Sequence, residues 1–181
     1  MRVDSKDVTL VATTASLYFV INLIQAVTVG NPAVSGPVQL RISDCLIPLS
    51  ALLGWPVAVG VTLGAALTNA YAFIAPVDIV FGSLANFIAA SIVIFLRKRS
   101  ILACVAAAFP IGLIVGGGYL WWFFDSPEIY GLTLPAWAAM ALSITISSLI
   151  AVSFCGYIIL RILGSPGVIE PLRSRGLKVL T

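Results

Sequence analysis

The 181-residue sequence contains no histidine and only three cysteines, Cys45, Cys104 and Cys155. The cysteines lie in separate apolar segments without C-x-x-C spacing, so neither a zinc site nor a disulfide framework is expected, and no cofactor or metal is implied. No G-x-x-x-x-G-K-[ST] stretch occurs, which leaves the chain without a recognisable phosphate loop for hydrolysing ATP. Energised work therefore has to draw on a partner or an ion gradient. Charge is scarcest of all: Asp, Glu, Lys and Arg make up 9% of the residues, against roughly 25% in an ordinary soluble domain. The net charge of +3 sits in short clusters rather than on a broad basic face, so nucleic acid is not an expected partner.

What fills the chain instead is apolar: 60% of residues are hydrophobic and the mean hydropathy is +1.10. Long apolar runs recur from end to end and imply an all-α integral membrane protein. At roughly 20 residues per transmembrane helix, residues 1–181 have room for about six spans in a single transmembrane domain. The first run carries Asn22 and Gln25 and lacks a clear A-x-A site, so it reads as a retained helix rather than a cleaved signal. The pattern predicts helices over Thr9–Val29, Gln39–Leu53, Pro56–Phe73, Val77–Leu96, Ile101–Phe124 and Leu134–Leu163. Gly30–Pro37, Gly54-Trp55-Pro56, Ala75-Pro76 and Ser126-Pro127 punctuate them.

Basic residues set the expected orientation. Arg2 and Lys6 precede the first helix, Arg97-Lys98-Arg99 follows the fourth, and Arg161, Arg173, Arg175 and Lys178 end or follow the sixth. The alternate connections hold no Lys or Arg except Arg41, which places both termini in the cytoplasm. Trp121, Trp122, Tyr130 and Trp137 suit an outer interface belt, and Trp55 the inner one.

Between Val8 and Leu96 the only charged residues are Arg41, Asp44 and Asp78. A charge at the bilayer centre costs at least about 2.5 kcal/mol, so each has to face a cavity, find a partner or sit at an interface. Arg41 and Asp44 are three apart and can share a helix face. As a purely structural alternative, they form an interfacial ion pair and Asp78 favours its helix dipole. Other polar and aromatic residues converge on the same level. Asn22 and Gln25 lie near the outer end of the first helix, Gln39 joins Arg41 and Asp44 on the second, and Asn69 and Tyr71 end the third. Tyr119, Trp121 and Trp122 end the fifth, and Asn86 lies about two turns deeper than Asp78 as a floor or an interhelical hydrogen bond. Aromatic faces with a few directed polar groups are what a small-molecule pocket needs. Small-residue stripes mark close helix contacts: Gly60 with Gly64, Gly112 with Gly116, Ala12 with Ser16, and Ala139, Ser143, Ser147 and Ala151.

The stretch Gly36-Pro-Val-Gln-Leu-Arg-Ile-Ser-Asp44, then Gly64-Ala-Ala-Leu-Thr-Asn69, then Val77-Asp-Ile-Val-Phe-Gly-Ser-Leu-Ala85 resembles the queuosine-precursor transporter family. Its members are substrate-binding components of energy-coupling factor transporters. The resemblance implies a six-helix bundle in a prokaryotic plasma membrane that captures its ligand from outside. It also implies docking on a transmembrane scaffold subunit that carries two ATPases, with the whole binding subunit toppling to release ligand inside. The missing phosphate loop agrees with that. Ala12 and Ser16 would correspond to the family's A-x-x-x-A-like docking stripe, with Ser16 departing from the second alanine, and Asp44 stands where the family usually has glutamate. The ligand expected is a deazapurine such as queuine or its aminomethyl-deazaguanine precursor, bound without covalent catalysis. Three other readings remain: the same architecture for a vitamin or an aromatic amino acid, a solitary ion-coupled carrier, and an intramembrane aspartyl hydrolase. The last needs two carboxyls close enough to share a proton, and no G-x-G-D sequence occurs.

Overall fold

A computed structural model describes residues 4–30, 40–72, 75–125, 127, 131 and 133–180, and among these there is helix but no strand. The helices are α1 (Ser5–Thr28), α2 (Ile42–Leu53), α3 (Trp55–Ala72), α4 (Pro76–Phe95), α5 (Arg97–Trp122), α6 (Ala136–Leu163) and a short α7 (Pro166–Ser174). α1 begins a turn earlier than the apolar run does. Asp4 accepts the Asp7 N–H at 2.9 Å while the Asp7 carboxylate accepts the Asp4 N–H at 3.1 Å, a reciprocal cap that satisfies two orphan donors.

α2 departs furthest from expectation. Its first eight residues, Ile42–Leu49, wind as a tight 3-10 helix and only Ser50–Leu53 is α-helical. Pro48 is the physical reason: it has no N–H to give the Asp44 carbonyl, and its ring would clash there in an α-helix. Arg41 precedes the helix in an extended conformation. The expected start at Gln39 lies outside the described residues. Gly54 then reverses the chain at φ +71°, a conformation open to glycine, and α3 starts at once.

α5 and α6 also contain wide π turns, at Gly112–Gly117 and Leu149–Gly156. The first follows Pro110, which interrupts the regular ladder. α5 closes in a 3-10 turn at Leu120–Trp122 rather than running to Phe124. α6 starts at Ala136 after Pro135, two residues later than the apolar pattern suggests.

In the bundle α1 packs on α3, α3 on α4, α4 on α5 and α5 on α6, while α2 lies against α1, α4 and α6 and closes the ring. The glycine stripes make these contacts possible. A Cβ on Gly60 would stand 2.6 Å from the Thr14 Cβ, and one on Gly64 2.7 Å from the Tyr18 Cβ, so α1 and α3 touch backbone to side chain. On Gly116 it would meet the Ala141 Cα at 2.7 Å, and on Gly156 the Pro48 Cγ at 2.7 Å. Ala139, Ser143, Ser147 and Ala151 are all buried, so the α6 stripe is internal. Small residues, including Ala58, Ala65, Ala85, Ala89, Ala90 and Ala107, fill the core, whereas Leu17, Ile24, Leu63, Leu67, Phe109 and Phe154 face outward. That inside-out distribution fits lipid as the solvent. α1, α4, α5 and α6 are long and apolar enough to cross a membrane; α2 is a shorter apolar helix and α3 has 18 residues.

The two chain ends meet at one end of the bundle. Lys178 Nζ pairs with the carboxylates of Asp4 and Asp7, each at 2.9 Å, Lys6 donates to the Arg175 carbonyl at 2.8 Å, and the Leu180 N–H donates to the Leu52 carbonyl at 2.7 Å. The hydrogen bond from Lys178 holds the exposed Asp4 carboxyl below its ordinary range. This clasp and α7 had no sequence signal beyond isolated charges.

Candidate ligand site

At the opposite end, polar side chains from five helices meet. α1 presents Tyr18, Asn22 and Gln25 at i, i+4 and i+7 on one face. Tyr18 is fully buried and its hydroxyl donates to Asp44 Oδ1 at 2.6 Å. Asn86 on α4 donates to the Tyr18 hydroxyl oxygen at 2.8 Å and to Asp44 Oδ1 at 3.5 Å. Three helices are thus joined through one carboxylate, which is itself 3% exposed. A charge so deep is tolerable only with donors directed at it.

Asp78, in the first turn of α4, is 2% exposed. The Tyr119 hydroxyl donates to its Oδ1, and Asn69 Nδ2 donates to its backbone carbonyl at 2.8 Å. Its Oδ2 is buried without a hydrogen-bond partner. Gly82, one turn further along α4, leaves the room these groups need. A Cβ there would lie 2.6 Å from Asn69 Nδ2 and 3.0 Å from Asp78 Oδ1. The Arg41 guanidinium interacts electrostatically with Tyr18, Asp44 and Asp78, linking the two carboxylates through one positive charge.

A cavity of about 40 Å³ lies between these groups. Arg41, Asp44 and Asn86 supply its polar wall, Ser147 and Ser148 its hydroxyl wall, and Ile111, Val115, Leu120 and Ile144 its apolar wall, with Gly82 at the edge. That volume holds about one water, far below the roughly 300–1,000 Å³ of common ligand pockets. α5 and α6, which line the cavity, each carry a π turn, at Gly112–Gly117 and directly after Ser148, the kind of irregularity that often accompanies a functional site.

The structure brings Arg41, Asp44, Asn69, Asp78, Asn86 and Tyr119 together. Arg41 and Asp44 do not pair along an α-helical face as expected, because the chain is extended at Arg41 and Asp44 takes its hydrogen bonds from Tyr18 and Asn86. Asn22 and Gln25 adjoin the cluster but serve the backbone and neighbouring helices. Asn22 donates to Ser43 Oγ at 2.6 Å, while Gln25 brackets the entry to α2, donating to the Leu40 carbonyl at 2.5 Å and accepting from the Ile42 N–H at 3.0 Å.

Tyr71 and Trp122 point away. They are 65% and 67% exposed, and Tyr71 packs edge-on against Phe19 while Trp122 packs on Trp121. Trp121 donates its indole N–H to the Gly117 carbonyl at 3.1 Å. Gln39 lies outside the described residues. Sequence reasoning missed Tyr18, Gly82, Ser147 and Ser148. The one-face spacing of Tyr18 with Asn22 and Gln25, and the four-residue step from Asp78 to Gly82, were the available signals. Ala12 and Ser16 are exposed, on a face of α1 other than the one packed against α3.

A helical bundle with a lipid-facing apolar exterior and a buried, charged chamber near one end belongs among membrane transport proteins. A sequence model of the QueT transporter family matches residues 8–165, and the chain belongs to that family. No match was found among curated proteins or among solved structures.

Proposed function

We propose that this chain is the substrate-capture subunit of an ATP-driven energy-coupling factor transporter, and that it takes up a queuosine precursor across a prokaryotic plasma membrane. It crosses the bilayer six times with both termini in the cytoplasm, α2 being a short span. The observation that carries the reading is the buried Asp78 Oδ2, which has no hydrogen-bond partner and whose carboxylate packs against Gly82 at the edge of a cavity lined by Asp44 and Arg41. Buried polar atoms are nearly always satisfied, so an acceptor left over beside a chamber calls for a donor brought by the ligand. A deazaguanine edge offers ring and amino N–H donors to the carboxylates and a carbonyl to Arg41 or Asn86. The aliphatic wall receives the flat ring. Nothing in this recognition breaks a covalent bond.

The energy comes from a scaffold subunit with two ATPases, since the chain lacks a phosphate loop. The exposed Ala12 and Ser16 supply a face on which another helix can approach closely. Mass spectrometry of small molecules retained by the purified protein tests the ligand class, with a deazaguanine compound expected. Retention of a vitamin or an amino acid instead would replace the ligand and keep the architecture. Uptake by the chain alone, without ATPase partners, would establish the ion-coupled carrier.

A further inference from the structure

A second cavity is larger than the ligand chamber. It lies at the end of the bundle that holds the terminal clasp and measures about 560 Å³. Arg97 and Lys98 enter it from the turn into α5, Arg161 from the last turn of α6, and Ser165 from the start of α7. No Asp or Glu lines it. Three cations from two elements thus converge without a counter-charge, which favours an anion. The N-terminus of α7, at Ser165 and Pro166, also lies in the cavity wall, so the positive end of that helix dipole adds to the same field.

The rest of the lining is aliphatic, with Leu52 and Ile169 among it. Next to the basic residues in sequence, Ile101, Leu102, Ile158 and Ile162 are 62%, 47%, 44% and 60% exposed. A ligand that fits both features has an anionic head and an apolar tail. We propose that this cavity holds the phosphodiester headgroup of an anionic phospholipid, with its acyl chains laid along the outer faces of α5 and α6. Basic pockets between membrane helices are a known physical solution for such headgroups. A bound lipid at this position would brace α2, α5, α6 and the C-terminal tail, which all contribute to the wall.

The test uses the full chain, exchanged into vesicles of equal phosphatidylglycerol and phosphatidylcholine, and native mass spectrometry of the lipid it retains. Phosphatidylglycerol is expected to be enriched. Because each cation near a membrane surface contributes about fivefold to anionic lipid affinity, Arg97→Gln with Arg161→Gln should lower the enrichment about 25-fold. Arg99→Gln with Arg175→Gln removes two charges outside the cavity and should leave it unchanged. Melting curves in phosphatidylcholine check folding, and Lys98→Gln, expected to show a fivefold loss, supplies the reading if the double variant does not fold. Equal retention of the two lipids, no loss in the cavity variants, or an equal loss in the control pair would overturn the proposal. Displacement of the lipid by millimolar inorganic phosphate would assign the site to a soluble anion and overturn it as well.

Discussion

Gly82 matters to the site because it has no side chain. It stands where Asn69, Asp78 and Tyr119 come close, so any Cβ presses on the amide and carboxylate beside the edge of the chamber. Gly82→Ala is therefore expected to cost about 1–3 kcal/mol by overpacking and to weaken ligand binding at least as much as it lowers the melting temperature. Calorimetry beside a melting curve reads both; wild-type affinity in this variant would mean that the space is not part of the site. The charged residues of this cluster were legible in the sequence because a carboxylate or guanidinium in an apolar segment demands a partner. Tyr18 was not, since a tyrosine in a membrane helix is ordinary until its hydroxyl is seen on Asp44. Tyr71 and Trp122 show the converse limit: position along a helix gives depth, but the direction of a side chain depends on the helix's rotation, which packing sets.

At the scale of elements, each of the six apolar segments read from the sequence holds a helix, four of them long and apolar enough to cross a membrane, and Gly54 and Pro76 stand at helix boundaries as expected, whereas the internal winding was not foreseen. Pro48 made the 3-10 start of α2 foreseeable in principle. Pro110 made the π turn of α5 foreseeable in the same way, whereas no proline stands before or within the π turn of α6. The glycine stripes proved internal, Gly60 and Gly64 against α1 and Gly112 and Gly116 against α6. That leaves Ala12 and Ser16 as the small-residue pair whose face is open. Ala12→Leu is expected to abolish ATP-driven uptake in the reconstituted transporter while ligand affinity of the isolated chain stays within about twofold, because the bulk blocks helix approach far from the chamber. Parallel loss of binding and uptake would show that this face packs within the chain.

Across the described residues, the ligand chamber and the terminal clasp occupy opposite ends, and the basic residues other than Arg41 gather at the clasp end. With that end cytoplasmic, a cysteine placed at Thr133 should react with an impermeant thiol reagent from outside intact cells, in a background without Cys45, Cys104 and Cys155. One placed at Arg99 should not. The reverse labelling would put the chamber on the inner side and remove its role in capture.

Under the proposed function the chamber, at about 40 Å³, opens to admit a base, and ligand contacts such as the one proposed at Asp78 Oδ2 offset the cost of opening. Titration calorimetry of the full chain with aminomethyl-deazaguanine, comparing wild type with Asp78→Asn, measures that contact. Asn preserves shape and the Oδ1 acceptor for Tyr119 but replaces the unpartnered oxygen with a donor. A charge-assisted hydrogen bond contributes roughly 1.5–3 kcal/mol, so affinity should fall about 10- to 150-fold with the melting temperature nearly unchanged. Unaltered affinity in Asp78→Asn, or no binding heat in the wild type, would contradict the assignment of this cluster to a deazapurine.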